Sequence, residues 1–127
     1  AAGADGIQMG TRFVSSLESP VHENFKGAIV NGSEQGTYIL NKKAKPCIRA
    51  LKTKLTDKIY EEGLMDMSAL SGIKDLYFGG DMNAAPALAG QSIGLINEVL
   101  PVEQIIKQTM QEFNSVCESL SNSKFEL

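Results

Sequence analysis

Tryptophan is absent from the 127 residues, histidine occurs once, and the two cysteines, Cys47 and Cys117, lie in opposite halves of the chain. Two such thiols make neither a disulfide framework nor a CxxC metal pair. They read as reduced thiols of a cytosolic protein. No apolar run approaches the ~18 residues that a membrane span needs. The start, Ala1-Ala2-Gly3-Ala4-Asp5, lacks the basic region and apolar core of a signal peptide. It also lacks an initiator methionine, so the chain is expected to begin after something has been removed. Basic charge is in deficit: 12 Lys and Arg against 15 Asp and Glu, a net charge of −3. That argues against generic nucleic-acid binding. Internal repeats and low-complexity segments are lacking as well. The length falls short of the roughly 250 residues of a complete (β/α)8 barrel. What is present, 43% hydrophobic and 21% charged residues, is the composition of one globular domain.

Gly6-Ile7-Gln8-Met9 predicts a buried strand ending at Met9, with a tight turn at Gly10. Thr11 is placed to cap a short helix through Val14 and Ser15. Ser19 followed by Pro20 has the form of an N-cap with proline in the first turn. Val21, Phe25 and Ile29 then form one helix face that ends near Asn31-Gly32. Thr37-Tyr38-Ile39-Leu40 has strand composition. Seven of the 12 basic residues fall between Lys42 and Lys58, opposed there only by Asp57. Within that stretch Pro46 is expected to open a helix whose apolar face is Ile48, Leu51, Leu55 and Ile59, closing at Gly63. The mixed pattern from Leu64 to Gly80 predicts short helical turns rather than a sheet. Gly79-Gly80-Asp81 is a break before the small-residue stretch 84–91, which continues to about Val99. Pro101 starts the clearest helix, where Val102, Ile105, Ile106, Met110, Phe113, Cys117 and Leu120 form a stripe aimed at a core. Residues 121–127 read as a frayed polar tail.

One or two strands and four or five helices do not make a self-sufficient α/β sheet. A buried strand needs neighbours on both sides to pair its backbone groups. Those neighbours are not in this sequence.

Four segments resemble a known family. Gly3-Ala4-Asp5-Gly6-Ile7-Gln8-Met9-Gly10-Thr11-Arg12-Phe13 is similar to the last barrel strand and phosphate-binding turn of the nitronate monooxygenases, formerly 2-nitropropane dioxygenases. The FMN-dependent enoyl-acyl-carrier-protein reductases of type II share that pattern. Glu18-Ser19-Pro20-Val21-His22-Glu23-Asn24-Phe25-Lys26 resembles the family's acidic-small-x-x-His-x-x-aromatic-Lys segment. Pro46-Cys47-Ile48-Arg49-Ala50-Leu51-Lys52 and Ala89-Gly90-Gln91-Ser92-Ile93-Gly94-Leu95-Ile96 are similar to two later elements, in family order. Lys45 and Thr53 depart from the pattern, where glycine and asparagine are expected.

The resemblance implies an α/β fold: the C-terminal part of an FMN-binding (β/α)8 TIM barrel with a mostly helical accessory region. Residues 1–18 would be the last strand and FMN-phosphate turn, 19–100 the accessory region, and 101–127 an amphipathic helix and tail. The other seven strands and the catalytic histidine would lie upstream. The implied activity is oxidation of nitronates with O2. Enoyl-thioester reduction with NAD(P)H is the alternative within the family, and a noncatalytic helical assembly module is the alternative outside it. A small-molecule substrate and self-association of the 127 residues are expected, without nucleic acid or membrane.

The candidate FMN-binding residues are Gln8, Met9, Gly10 and Thr11. A glycine lets backbone approach an anion, and the first turn of the following helix offers unpaired N–H groups. Of Gln8 and Met9, alternation along a strand turns one away from the ligand. Arg12 reads either as a phosphate ligand or as a salt bridge tying the turn down. Gly90 and Gln91 either border the substrate pocket or serve close packing through Ala89, Gly90 and Gly94. His22, beside Glu23, reads as a surface or packing residue. No catalytic acid, base or nucleophile and no metal site is expected within these residues. The Lys42–Lys58 stretch would attract an acidic partner, such as a phosphorylated cofactor or an acyl-carrier protein, or form a solvated face. Met65, Met67 and Met82 read as core filler.

Overall fold

The apolar opening forms no strand. In the computed structural model, which describes residues 3–122, residues 6–9 form no regular element, and Ile7 is 71% exposed rather than buried. A strand needs partners for its N–H and C=O groups, and none among the described residues reaches this segment. The chain then enters α1 (Thr11–Val14), α2 (Glu23–Val30) and two strands, β1 (Thr37–Leu40) and β2 (Ile48–Leu51). There follow α3 (Lys54–Glu62), α4 (Ile73–Tyr77) and α5 (Val102–Asn122), with short 3-10 turns at Met67–Leu70 and Gln91–Leu95. The helical turns expected between Leu64 and Gly80 are present.

Two helix starts differ from expectation. Helix α2 begins at Glu23, not Pro20, because His22 is its N-cap: the imidazole Nδ1 accepts from the Asn24 N–H at 3.1 Å. Thr11 is the first residue of α1 rather than its cap, and its hydroxyl is engaged elsewhere.

The larger correction concerns residues 46–53. Ile48–Leu51 is a strand, antiparallel to β1 in the register Thr37↔Leu51 to Leu40↔Ile48. Its other edge is also covered: Leu51 N–H donates to Ala87 O at 2.8 Å, and Ala89 N–H to Arg49 O at 3.3 Å. Pairing on both edges outweighs the helical spacing of Ile48 and Leu51. The helix starts only at Lys54, where Thr53 and Thr56 form a reciprocal capping box. It stops where expected, at Gly63, which takes the left-handed conformation (φ 74°) of a helix C-terminus.

Two apolar clusters hold the fold. The first gathers Phe25, Ile29, Leu51, Leu76, Ile93 and Ile96 with the small residues Ala85, Ala87 and Ala89. The second gathers Leu40, Ala50, Ile59 and Met65 under α3. Phe25 is fully buried and tilts against Tyr77, ring centroids 5.1 Å apart. Of the three methionines expected in the core, Met65 is buried, Met82 packs against its edge, and Met67 is exposed.

Helix α5 departs from the core it was expected to cover. Ile105 is its one buried residue among those described, and Ile106, Met110, Phe113 and Leu120 are about half exposed. The expected tail is still helical at Ser121 and Asn122. Residues 123–127 lie outside the described residues.

Candidate functional site

An open cleft of about 810 Å³ lies between the turn at residues 8–12, the segment 90–98 and the first half of α5. The expected residues Gln8, Met9, Gly10 and Thr11 all line it. Gln8 and Met9 do so together, against the expectation that one would turn away. Without sheet neighbours the segment is not held to two opposite faces. Gly90 is also on the wall. Gln91 is not: it opens the 3-10 turn with its side chain exposed, while its neighbours Gly90 and Ser92 line the cleft.

The turn has the chemistry of an anion cradle. The backbone N–H groups of Gly10, Thr11 and Arg12 make no hydrogen bond among the described residues. A Cβ placed on Gly10 would meet nothing within 4 Å. Thr11 Oγ1 accepts the Gly90 N–H at 2.9 Å, which leaves its own O–H to donate. One hydrogen bond thus joins two segments that the sequence singled out separately.

Glycine at position 90 is not demanded by packing, since an added Cβ would make only ordinary contacts with Thr11 and Ser92. Gly94 is the packing glycine, with its missing Cβ 2.7 Å from the Glu34 backbone nitrogen. Arg12 makes no ion pair among the described residues. Its Nη1 donates to Glu98 O at 2.9 Å and to Ser15 Oγ at 3.3 Å, tying the turn to the far wall. That wall, from Leu95 to Glu98, and the α5 residues Gln108, Thr109 and Glu112 were not legible in the sequence. Leu95 and Ile96 end the last resembling segment, but no motif marks Asn97, Glu98 or the α5 residues.

The second resembling segment turns out to brace this site. Both Glu18 carboxylate oxygens accept the Val102 N–H at 3.0 Å, capping the start of α5. His22 caps α2 and donates its own N–H to Tyr77 O at 2.7 Å. Lys26 Nζ reaches the carbonyls of Ser16 and Ser19 at 2.7 Å each and Leu17 at 3.5 Å. His22 is not among the residues that line the cleft, and Gly80 (φ 77°) is pressed against its ring so closely that a Cβ there would collide with it.

The six lysines of the basic stretch are exposed and Arg49 is half-buried. Tyr38 and Tyr60 stack at 4.2 Å, with Lys42 over one outer face at 4.5 Å and Lys52 over the other at 4.8 Å. A neighbouring carboxylate, Asp57, accepts from the Tyr38 hydroxyl and raises its pKa above 10.0. Both ring faces are therefore taken. Among the described residues no three His, Cys, Asp or Glu side chains gather as a metal site, and no helix is long and apolar enough to cross a membrane.

The fold corresponds to part of a larger barrel chain. Over 94% of its length the chain superposes on FabK from Thermotoga maritima, with a TM-score of 0.86 and 35% identity, covering 40% of that TIM-barrel chain. An M276A mutant of the same protein gives 0.81, 37% identity and 37% of that chain. The nitronate monooxygenase family model matches residues 1–112, and the chain belongs to that family. A probable nitronate monooxygenase from Staphylococcus aureus is 31% identical over 93 residues. The chain spans 24% of that relative's length. It is thus the equivalent of a C-terminal barrel portion: helix-rich, with two strands among the described residues, and not a closed barrel.

Proposed function

We propose that this chain is the C-terminal portion of an FMN-dependent oxidoreductase that oxidises nitronates with O2. The observation that supports it is the turn at Gly10, Thr11 and Arg12: three N–H groups with no partner among the described residues, beside an open glycine, on the wall of the cleft in a nitronate monooxygenase family chain. These donors suit a phosphate monoester. Gly10 and Thr11 would hold the FMN phosphate, with Gln8 and Met9 along the approach to it. When bound, the flavin supplies the redox chemistry. This chain's residues bind and orient it: Thr11 donates from its hydroxyl, and Arg12 and the Gly90 N–H fix the turn against the far wall. Gly90 leaves room at the pocket border. The three-part division at residues 18 and 100 belongs to the same reading, as does a small-molecule substrate.

The FabK likeness favours a second reading, reduction of an enoyl thioester with NAD(P)H. It covers more of this chain, at higher identity, than the nitronate monooxygenase relative does. One experiment addresses both. The full-length protein of which this chain forms the C-terminal part is purified, its flavin identified, and turnover measured with alkyl nitronate plus O2 and with enoyl thioester plus NAD(P)H. Nitronate oxidation at the higher kcat/KM supports the first reading, and enoyl reduction the second. A colourless protein active in neither assay refutes both and leaves the assembly module.

A further inference from the structure

Two side chains outside the cleft bear on where its α5 wall stands. Lys26 on α2 directs its ammonium at the carbonyls of Ser16 and Ser19, 2.7 Å each, and of Leu17 at 3.5 Å. These acceptors match the protons an ammonium can donate. Residues 16–19 thus curl around Lys26, and the Ser19 N–H closes the curl by donating to Ser16 Oγ at 3.2 Å. The same segment holds the start of α5. Leu17 N–H donates to Leu100 O, and the Glu18 carboxylate accepts the Val102 N–H, both at 3.0 Å. Val102 supplies the first N–H of α5, since Pro101 before it has none.

That start decides which face of α5 meets the cleft. Ile105, Gln108, Thr109 and Glu112 stand three and four residues apart and so share one face. All four line the cleft, and Ile105 is buried. Turning the helix by one residue position, about 100°, would carry that face away. Glu18 is exposed, so water can take the Val102 N–H in its place. What the carboxylate adds, besides negative charge at the positive end of the helix, is a fixed start.

We propose that Glu18 and Lys26 are positioning residues of the cleft. Lys26 shapes residues 16–19, and Glu18 in turn holds α5 so that Gln108, Thr109 and Glu112 stand on the cleft wall. Neither residue lines the cleft, so both act on how tightly a ligand is held and not on a reacting atom. The proposal rests on the reading of the cleft as a flavin and substrate site.

The test uses the full-length protein of which this chain forms part, as Glu18→Ala, Glu18→Gln, Lys26→Met and Lys26→Arg. Hydrogen exchange read by mass spectrometry compares residues 102–112 with α3 as the internal control. Glu18→Ala speeds exchange at the start of α5 by ~5-fold, the weight of a helix cap, and leaves α3 unchanged. The FMN Kd, or the KM of whichever of nitronate and enoyl thioester is turned over, rises ~2- to 5-fold. A coupling cannot exceed the interaction removed, and kcat stays within ~2-fold. Lys26→Met acts in the same direction and more strongly. Glu18→Gln keeps an acceptor and Lys26→Arg keeps donors, so each restores part of the loss. In Glu18→Ala, unchanged exchange in α5, or faster exchange with Kd and KM unmoved, would overturn the proposal. Exchange in α3 accelerated as much as in α5 would overturn it too, as a general loosening. A wild-type protein with neither flavin nor turnover would refute the proposed function instead. The exchange comparison needs no flavin, and it then decides whether Glu18 holds α5.

Discussion

Replacing Gly10 with leucine separates the phosphate reading from any role in folding. Gly10 has φ −106°, which every L-residue adopts, and a Cβ there would meet no atom within 4 Å. The fold therefore loses little, about 1 kcal/mol or less from a poorer helix cap. An isobutyl group would instead fill the space in front of the Gly10, Thr11 and Arg12 N–H groups. Charge-assisted hydrogen bonds contribute about 1.5–3 kcal/mol each, so losing two weakens phosphate binding by about 3–6 kcal/mol, or roughly 10²–10⁴-fold. The assay is a flavin titration of the full-length protein, alongside urea denaturation to show that the fold persists. Stoichiometric FMN in a folded Gly10→Leu protein would refute the assignment. Gly72 is the internal contrast: a Cβ there would run into the Ala84 carbonyl, so Gly72→Ala should unfold the chain at markedly lower urea whatever the flavin does.

Lys26→Met keeps the aliphatic stem but strips the donors from the carbonyls of Ser16, Leu17 and Ser19; a loss of about 2–4 kcal/mol is expected in urea denaturation, and a change under about 0.5 kcal/mol would refute the clamp. His22→Ala removes a helix cap at a cost of about 1 kcal/mol and should leave turnover and its pH profile in the full-length enzyme unchanged. A loss of ~100-fold in kcat/KM would instead mark a general acid or base. Burial raises the Tyr77 hydroxyl above its ordinary 10.0, so its contribution to stability is complete below pH 10.0 and is lost as pH climbs through the higher folded value. Tyr77→Phe should therefore flatten the alkaline limb of a stability–pH curve, and an unchanged limb would remove Tyr77 as its cause.

Local chemistry was well written in the sequence where it was self-contained. Gly63 ends α3, Thr37–Leu40 is a strand, and the turn at Gly10 leads into a helix, each by signals within a few residues. The errors fall where a distant segment decides. Ile48 and Leu51 share a helix spacing with Leu55 and Ile59, but the partners that make 48–51 a strand lie at 37–40 and 87–89. Pro20 looked like a helix start until His22, hydrogen-bonded to Tyr77 from α4, took the cap. The apolarity of Ile7 predicts burial, and its exposure goes with the lack of any strand partner among the described residues.

The same distinction explains why half of the cleft was visible in advance. Its near wall is a contiguous motif, Gln8 to Arg12, while its far wall exists only because the chain returns to where it left. Leu17 N–H bonds Leu100 O at 3.0 Å, Ser16 and Leu100 pair as a parallel bridge, and Glu18 caps Val102. Residues 19–100 therefore leave and rejoin the turn at one place, and Arg12 and Thr11 staple their last segment across it. The two apolar clusters lie within that excursion, apart from the flanking contact of Val14. Its packing fixes the separation of 90–98 from the turn, and Glu18 fixes the start of α5. The turn at Gly10 is thus a local motif whose opposite wall is set by the folding of a region that lies outside it. Substitutions deep in that region, such as Phe25→Ala at an expected ~3–5 kcal/mol, act on the cleft through that packing.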